Sequence, residues 1–171
     1  MSDIIVDASV AVKWYVAEEG ARIADEIANS GNRLFAPQIL ITEVANALSR
    51  KAMIGLMSPA DAQKYWRSLP NYLDGLIPVD ELIEPALLNA FELRHPIYDL
   101  IYLETARRLD AQLITADRRF ADKLAGTDLA PHVTLLSDWQ PEWRCSPSTK
   151  TISLSATWRA TLPPGRSRRM R

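Results

Sequence analysis

The chain has 171 residues, 47% hydrophobic and 24% charged, a composition that suits one domain of ordinary size built on a single core. Its formal net charge of -1 conceals an asymmetry: residues 1–140 carry 13 of the 20 Lys and Arg and 20 of the 21 Asp and Glu, so residues 141–171 are strongly basic. The lone Cys145 excludes an internal disulfide, and no apolar run approaches the roughly 20 residues that cross a bilayer, so the expectation is a cytoplasmic protein that does not enter a membrane.

In chain order, Ile4-Ile5-Val6 is a β-branched run ending at Asp7, and residues 8–16 follow as a helix with Asp7 or Ser9 at its cap. Residues 18–30 read as a second helix closed by Gly31, and residues 33–37 as a strand stopped by Pro37. Ile41, Val44, Ala45, Leu48 and Ala52 recur at helical spacing between Gln38 and Gly55, and Ser58-Pro59-Ala60-Asp61 supplies the cap, first-turn proline and acid of the next helix. Residues 75–79 predict a third strand, 81–94 a helix, and 98–109 another helix after the His95-Pro96 break. A fourth strand at 111–115 leads through Asp117 into a helix at 118–124, and 133–136 is the last strand.

This alternation predicts an α/β fold: a short central parallel sheet of about five strands with helices on both faces, three layers in all. Ligands of such sheets bind beyond the carboxyl ends of the strands, where Asp7 and Asp117 stand. After Trp139 no period can be followed, so we divide the chain into a domain at 1–140 and a basic, flexible tail at 141–171.

Four acids invite a chemical reading: Asp7, Glu43, Asp99 and Asp117. Taken singly, the three aspartates are better explained as helix caps or first-turn acids, and Glu43 equally well as a solvent-facing residue. Together they say more, because carboxylates at neighbouring strand ends repel unless a cation lies between them. Mg²⁺ or Mn²⁺ matches an all-oxygen donor set, whereas zinc would want more than His95, His132 and Cys145. The same scarcity argues against Ser-His-Asp, Cys-His or two-histidine chemistry and leaves water activated by a metal as the nucleophile.

The segments Val6-Asp7-Ala8-Ser9, Glu43-Val44-Ala45-Asn46-Ala47-Leu48, Tyr98-Asp99-Leu100-Ile101-Tyr102 and Thr115-Ala116-Asp117-Arg118-Arg119-Phe120, in that order, resemble the PIN-domain family, and within it the VapC toxins of toxin-antitoxin pairs. The resemblance covers residues 3–139, ending near Ser137-Asp138-Trp139. It implies a PIN-like fold and a metal-dependent endoribonuclease that cleaves structured RNA, tRNA or rRNA, leaving a 5′-phosphate and a 3′-hydroxyl. Asp7, Glu43, Asp99 and Asp117 would be the catalytic, metal-binding acids, Ser9 and Thr115 supporting hydroxyls, and Mg²⁺ or Mn²⁺ the cofactor. It further implies a homodimer and a small VapB-like antitoxin whose C-terminal segment lies over the groove, with much of the partner surface on residues 38–69. An apolar stripe there is equally the stripe of a core-facing helix.

Lys13, Arg118 and Arg119 are candidate phosphate contacts or else a solvated helix face, and Trp14 or Tyr15 are candidate base-stacking residues or else core, the core reading being the better one for Trp14. Asn46 either orients Glu43 or lies exposed. The tail is either a source of salt-sensitive RNA affinity or an incidental extension. Two other readings are a housekeeping PIN nuclease and an inactive PIN-like interaction module. A phosphoacceptor receiver domain would need paired acids after the first strand, and a haloacid-dehalogenase-like phosphatase an aspartate in place of Ser9.

Overall fold

A computed structural model describes residues 2–141; the segment expected to be a basic flexible tail lies outside the described residues from position 142 onward. Five strands, β1 (Asp3–Val6), β2 (Arg33–Pro37), β3 (Gly75–Ile77), β4 (Gln112–Thr115) and β5 (Val133–Leu135), form one sheet in the order β3-β2-β1-β4-β5. Every neighbouring pair is parallel, with Ile5 opposite Phe35 on one side and Leu113 on the other. Successive residues Ile4, Ile5 and Val6 are all buried, as are Leu113, Ile114 and Thr115. Because consecutive strand side chains point to opposite faces, both faces of the central strands are covered, which makes the fold a three-layer α/β/α arrangement.

The covering helices are α1 (Ala8–Ala11), α2 (Ala21–Ala28), α3 (Ile39–Met53), α4 (Pro59–Ser68), α5 (Ile83–Leu93), α6 (Ile97–Arg108) and α7 (Arg118–Leu124). Helix α6 is the most enclosed, with Leu100 through Ala106 all buried, and it contacts β1, β2 and β4. Fully burying an aliphatic side chain such as Ile5 or Leu103 stabilises the fold by roughly 1.5–3 kcal/mol each, so this layer anchors the sheet. Ser58 caps α4 through Asp61 N–H at 3.0 Å with Pro59 at the first helical position, as the sequence predicts.

Several boundaries differ from expectation: β3 ends at Ile77 rather than 79, α5 starts at Ile83 rather than 81, and two larger differences have local reasons. The helix predicted over 8–16 is α-helical only through Ala11 and tightens into a 3-10 turn at Val12–Trp14. There the Trp14 indole is buried, stacks on Tyr72 at 4.6 Å and donates to Ala24 O at 3.0 Å. The helix predicted to begin at residue 18 begins at Ala21, because Gly20 takes a left-handed φ of 82° that no helix continues through.

Candidate functional site

The chain leaves β1 toward β2 on one side of the sheet and later places β4 on the other, so the crevice beyond β1 and β4 is a switch point of the topology. Asp7 follows β1 directly and Asp117 follows β4 after Ala116, which puts these two acids at neighbouring strand ends as expected.

Asp7 is fixed from several directions. Its N–H donates to Ile114 O at 3.2 Å, carrying the ladder one step past β1. Its Oδ1 accepts from Ser9 N–H at 3.3 Å and caps α1, while Oδ2 accepts from the Ser9 hydroxyl at 2.7 Å and from the Thr115 hydroxyl. Each hydroxyl accepts in turn from the β4 end: Ala116 N–H reaches Ser9 Oγ at 2.9 Å, and Asp117 N–H reaches Thr115 Oγ1 at 3.0 Å. A hydroxyl has one proton to give, and both give it to Asp7, an arrangement that favours the ionised carboxylate. Burial nevertheless drives the Asp7 carboxyl above its usual range, and the charge of Asp99 adds to that while the two hydroxyls oppose it.

Asp99 lies in the first turn of α6 with Oδ2 2.7 Å from His95 Nε2. The His95 ring is stacked on Phe120 at 4.9 Å, and the left-handed Arg94, φ 48°, turns the chain at the end of α5 so that this histidine precedes the helix. Burial raises the Asp99 carboxyl, His95 pulls it back, and Asp117 raises it further. Glu43, half-buried on α3, accepts from the Tyr102 hydroxyl at 2.6 Å; burial raises it against this hydrogen bond, with Asp7 and Asp99 adding to the rise. Tyr102 is held far above the usual phenol range by burial and by the Asp7 and Glu43 charges. Asp117 caps α7, its Oδ1 accepting from Phe120 N–H at 3.1 Å.

The four acids therefore share one electrostatic neighbourhood: Asp7 feels Asp99, Glu43 feels Asp7 and Asp99, and Asp99 feels Asp117. Capping and clustering coexist, since Asp7 and Asp117 do both. Among the described residues no three His, Cys, Asp or Glu side chains are disposed to hold one ion as they stand. Each carboxylate is hydrogen-bonded to a different neighbour instead: Ser9 and Thr115, Tyr102, His95, or a helix N-terminus. The donor chemistry nonetheless fits a hard divalent cation, for it consists of hard carboxylate oxygens whose charges oppose one another.

Two contacts escaped the sequence. His95 reads there only as a helix break, although its position four residues before Asp99 was a usable signal; Tyr102, three residues after Asp99, stands one helical turn along α6. Of the candidate RNA contacts, Arg118 and Arg119 are exposed at the start of α7, and Lys13 is partly buried and paired with Glu18 at 2.9 Å. Trp14 belongs to the core, Tyr15 stacks on Tyr65 at 5.1 Å, and Asn46 is exposed. No helix among the described residues is long and apolar enough to cross a membrane.

Comparison with known proteins agrees with this fold. A family model, PIN domain, matches residues 4–124. Ribonuclease VapC3 of Pyrobaculum aerophilum is 28% identical over 122 residues, 70% of this chain and 93% of that protein. Ribonuclease VapC1 of Mycobacterium tuberculosis is 29% identical over 130 residues, 71% of this chain and 90% of that one. In fold, the chain is similar to a Pyrobaculum aerophilum protein solved by crystallography, with TM-score 0.57 and 24% identity over 80% of this chain and 85% of the other. It is also similar to a chain of a toxin-antitoxin complex from Klebsiella pneumoniae, with TM-score 0.56 and 19% identity over 78% and 97%. The family match spans Asp7, Glu43, Asp99 and Asp117 together with β2, β3, β4 and all of β1 but Asp3, and the chain belongs to the PIN-domain family.

Proposed function

We propose that this protein is a metal-dependent endoribonuclease of the cytoplasm, the toxin of a VapBC-like toxin-antitoxin pair, cleaving structured RNA. The observation that carries the reading is the gathering of four carboxylates beyond β1 and β4, with Asp7 gripped by two hydroxyls whose only protons point at it. The relatives named ribonuclease VapC support it.

Asp7, Glu43, Asp99 and Asp117 would hold the cation. When bound, Mg²⁺ or Mn²⁺ supplies an acidified water and neutralises charge on a phosphodiester. The protein's own part is positioning. Ser9 and Thr115 favour the ionised form of Asp7 against its burial and aim it, Tyr102 restrains Glu43, and His95, braced on Phe120, restrains Asp99. Arg118 and Arg119 on the outer turn of α7, with Lys13, draw phosphates toward the acids.

Thr115→Val keeps the shape of the side chain while removing a donor to Asp7 and an acceptor for Asp117 N–H. Its RNA cleavage is expected to fall about 10- to 100-fold, the usual effect of losing a group that orients a metal ligand. Thr115→Ser should restore most of it, as measured by initial rates on one RNA.

Partners find two apolar surfaces. A groove of about 460 Å³ between α3 and α4 is lined by Leu48, Ala52, Met53, Ala62 and Trp66, and suits an amphipathic antitoxin segment. On α5, Leu87, Leu88 and Phe91 are exposed at helical spacing, a convex face suited to a second copy. On α3 the apolar stripe packs into the core at Val44 and Leu48, while Met53 is exposed, so the partner surface we assign to residues 38–69 rests on the residues this stripe leaves uncovered.

The test is induced expression of the full chain in a bacterial host, followed by mapping of RNA 5′ ends. Growth arrest with one discrete new end in a tRNA or rRNA is expected. Arrest without any new RNA end would remove the nuclease reading.

A further inference from the structure

An open cleft of about 460 Å³ adjoins the acids, walled by Ser9, Glu43, Lys13, Glu18, Asn46 and Ala116. Glu18, in its wall, bridges two lysines, of which only Lys13 also lines the cleft: Oε1 accepts from Lys13 Nζ at 2.9 Å and Oε2 from Lys51 Nζ at 2.8 Å. The two lysine side chains are only 12% and 20% exposed. Lys51 lies eight residues beyond Glu43 on α3, about 12 Å along the same helix. Glu18 belongs to no helix or strand, and Gly20 packs its loop closely: a Cβ on Gly20 would stand 3.6 Å from the Lys13 stem and 2.9 Å from Leu136 Cδ2.

Two cations sharing one acid leave a net positive charge at the edge of a strongly acidic site. A polyanion approaching four carboxylates is repelled by them, and needs a cationic foothold within reach of the reacting bond. Glu18 presents two oxygens to the two ammonium groups, as a phosphodiester does with its two non-bridging oxygens. Both lysines hold the Glu18 carboxyl below its usual range against the effect of burial, so it remains an anion there.

Resting on the nuclease reading, we propose that Lys13 and Lys51 form a subsite for an RNA backbone phosphate flanking the cleaved bond, and that Glu18 is the internal stand-in which this phosphate displaces. The stand-in keeps the lysines in place and weakens RNA binding by competing for them. Lys51 and Glu18 thereby join Lys13 as determinants of substrate affinity.

The test uses fluorescence anisotropy of a labelled single-stranded RNA with the full chain carrying Asp99→Asn, which separates binding from cleavage. Adding Lys51→Gln or Lys13→Gln is expected to weaken binding about 3- to 10-fold and to flatten the logarithmic salt dependence by roughly 0.7, the share of one phosphate contact on a single strand. Adding Glu18→Gln breaks the same ion pairs but is expected to tighten binding about 3- to 10-fold by freeing both cations. A merely structural triad does not produce opposite signs, since each lysine variant breaks one of the two ion pairs and the Glu18 variant breaks both. Equal effects, or none, overturn the subsite. RNA cleavage by the unaltered chain is measured in parallel: cleavage without the sign reversal removes this inference alone, and no cleavage removes it together with the nuclease reading.

Discussion

Asp99→Asn is expected to lower RNA cleavage by about 10³-fold or more, because it removes a charge that no neighbour replaces at the point where a phosphodiester must be activated. The fold should survive and even gain. The Asp99 carboxyl is held above its ordinary value of 3.8 by burial and by Asp117, so the folded state binds its proton more tightly than the unfolded one. Stability conferred by this group is therefore full below the unfolded value and is lost as pH rises through the folded one. In the absence of divalent cation, the Asn variant should melt at or above the temperature of the unaltered protein at neutral pH and lose that advantage below pH 3.8. Asp99 is a cleaner position for this test than Asp7. An amide at Asp7 offers one oxygen where the structure uses both, and would leave either the Ser9 N–H or the two hydroxyls poorly served. Cleavage at the unaltered rate by a folded Asp99→Asn protein would end the assignment of Asp99 to the chemistry.

The framework was legible because its signals are local and repeated. Ile4-Ile5-Val6 before Asp7, and Leu113-Ile114-Thr115 before Asp117, each combine a β-branched or apolar run with an acid at its end, and the alternation with helices implies parallel strands. What the sequence could not express is contact between distant residues. Tyr102 reaches Glu43 across 59 positions, and Lys51 reaches Glu18 across 33. Neither pairing leaves a periodic trace. His95 failed to register for another reason: a histidine followed by proline reads as the end of one helix, and its role depends on the left-handed turn at Arg94 and on the Phe120 ring behind it. Reading the aspartates as caps was sound for Asp7 and Asp117, yet it set up a false choice, because a residue at the start of a helix after a parallel strand already stands at the crevice.

Divalent cation is expected to govern both activity and stability. Chelation should abolish cleavage and Mn²⁺ or Mg²⁺ restore it, while addition of either ion to chelated protein near pH 7.5 should raise the melting temperature. At a concentration 100 times its dissociation constant a ligand that binds only the folded state contributes about 2.7 kcal/mol, a rise on the order of 5–10 °C for a domain of this size. The rise should shrink toward acidic pH, since Asp7, Glu43 and Asp99 all hold their protons to higher pH than free carboxyls do and each proton must leave before an oxygen can ligate. It should also shrink in Asp99→Asn, which separates binding among these acids from unspecific binding to an acidic surface. In the present geometry the carboxylates are engaged by Ser9, Thr115, Tyr102 and His95 rather than converged on one point, so ion binding also has to draw Glu43 and Asp99 from their partners. Weakening those restraints then tests the order of events: Tyr102→Phe, which frees Glu43 without altering its charge, should leave the thermal shift intact or enlarge it while lowering the cleavage rate. Loss of the thermal shift in Tyr102→Phe would instead mean that the phenol holds Glu43 in the orientation that binds the ion.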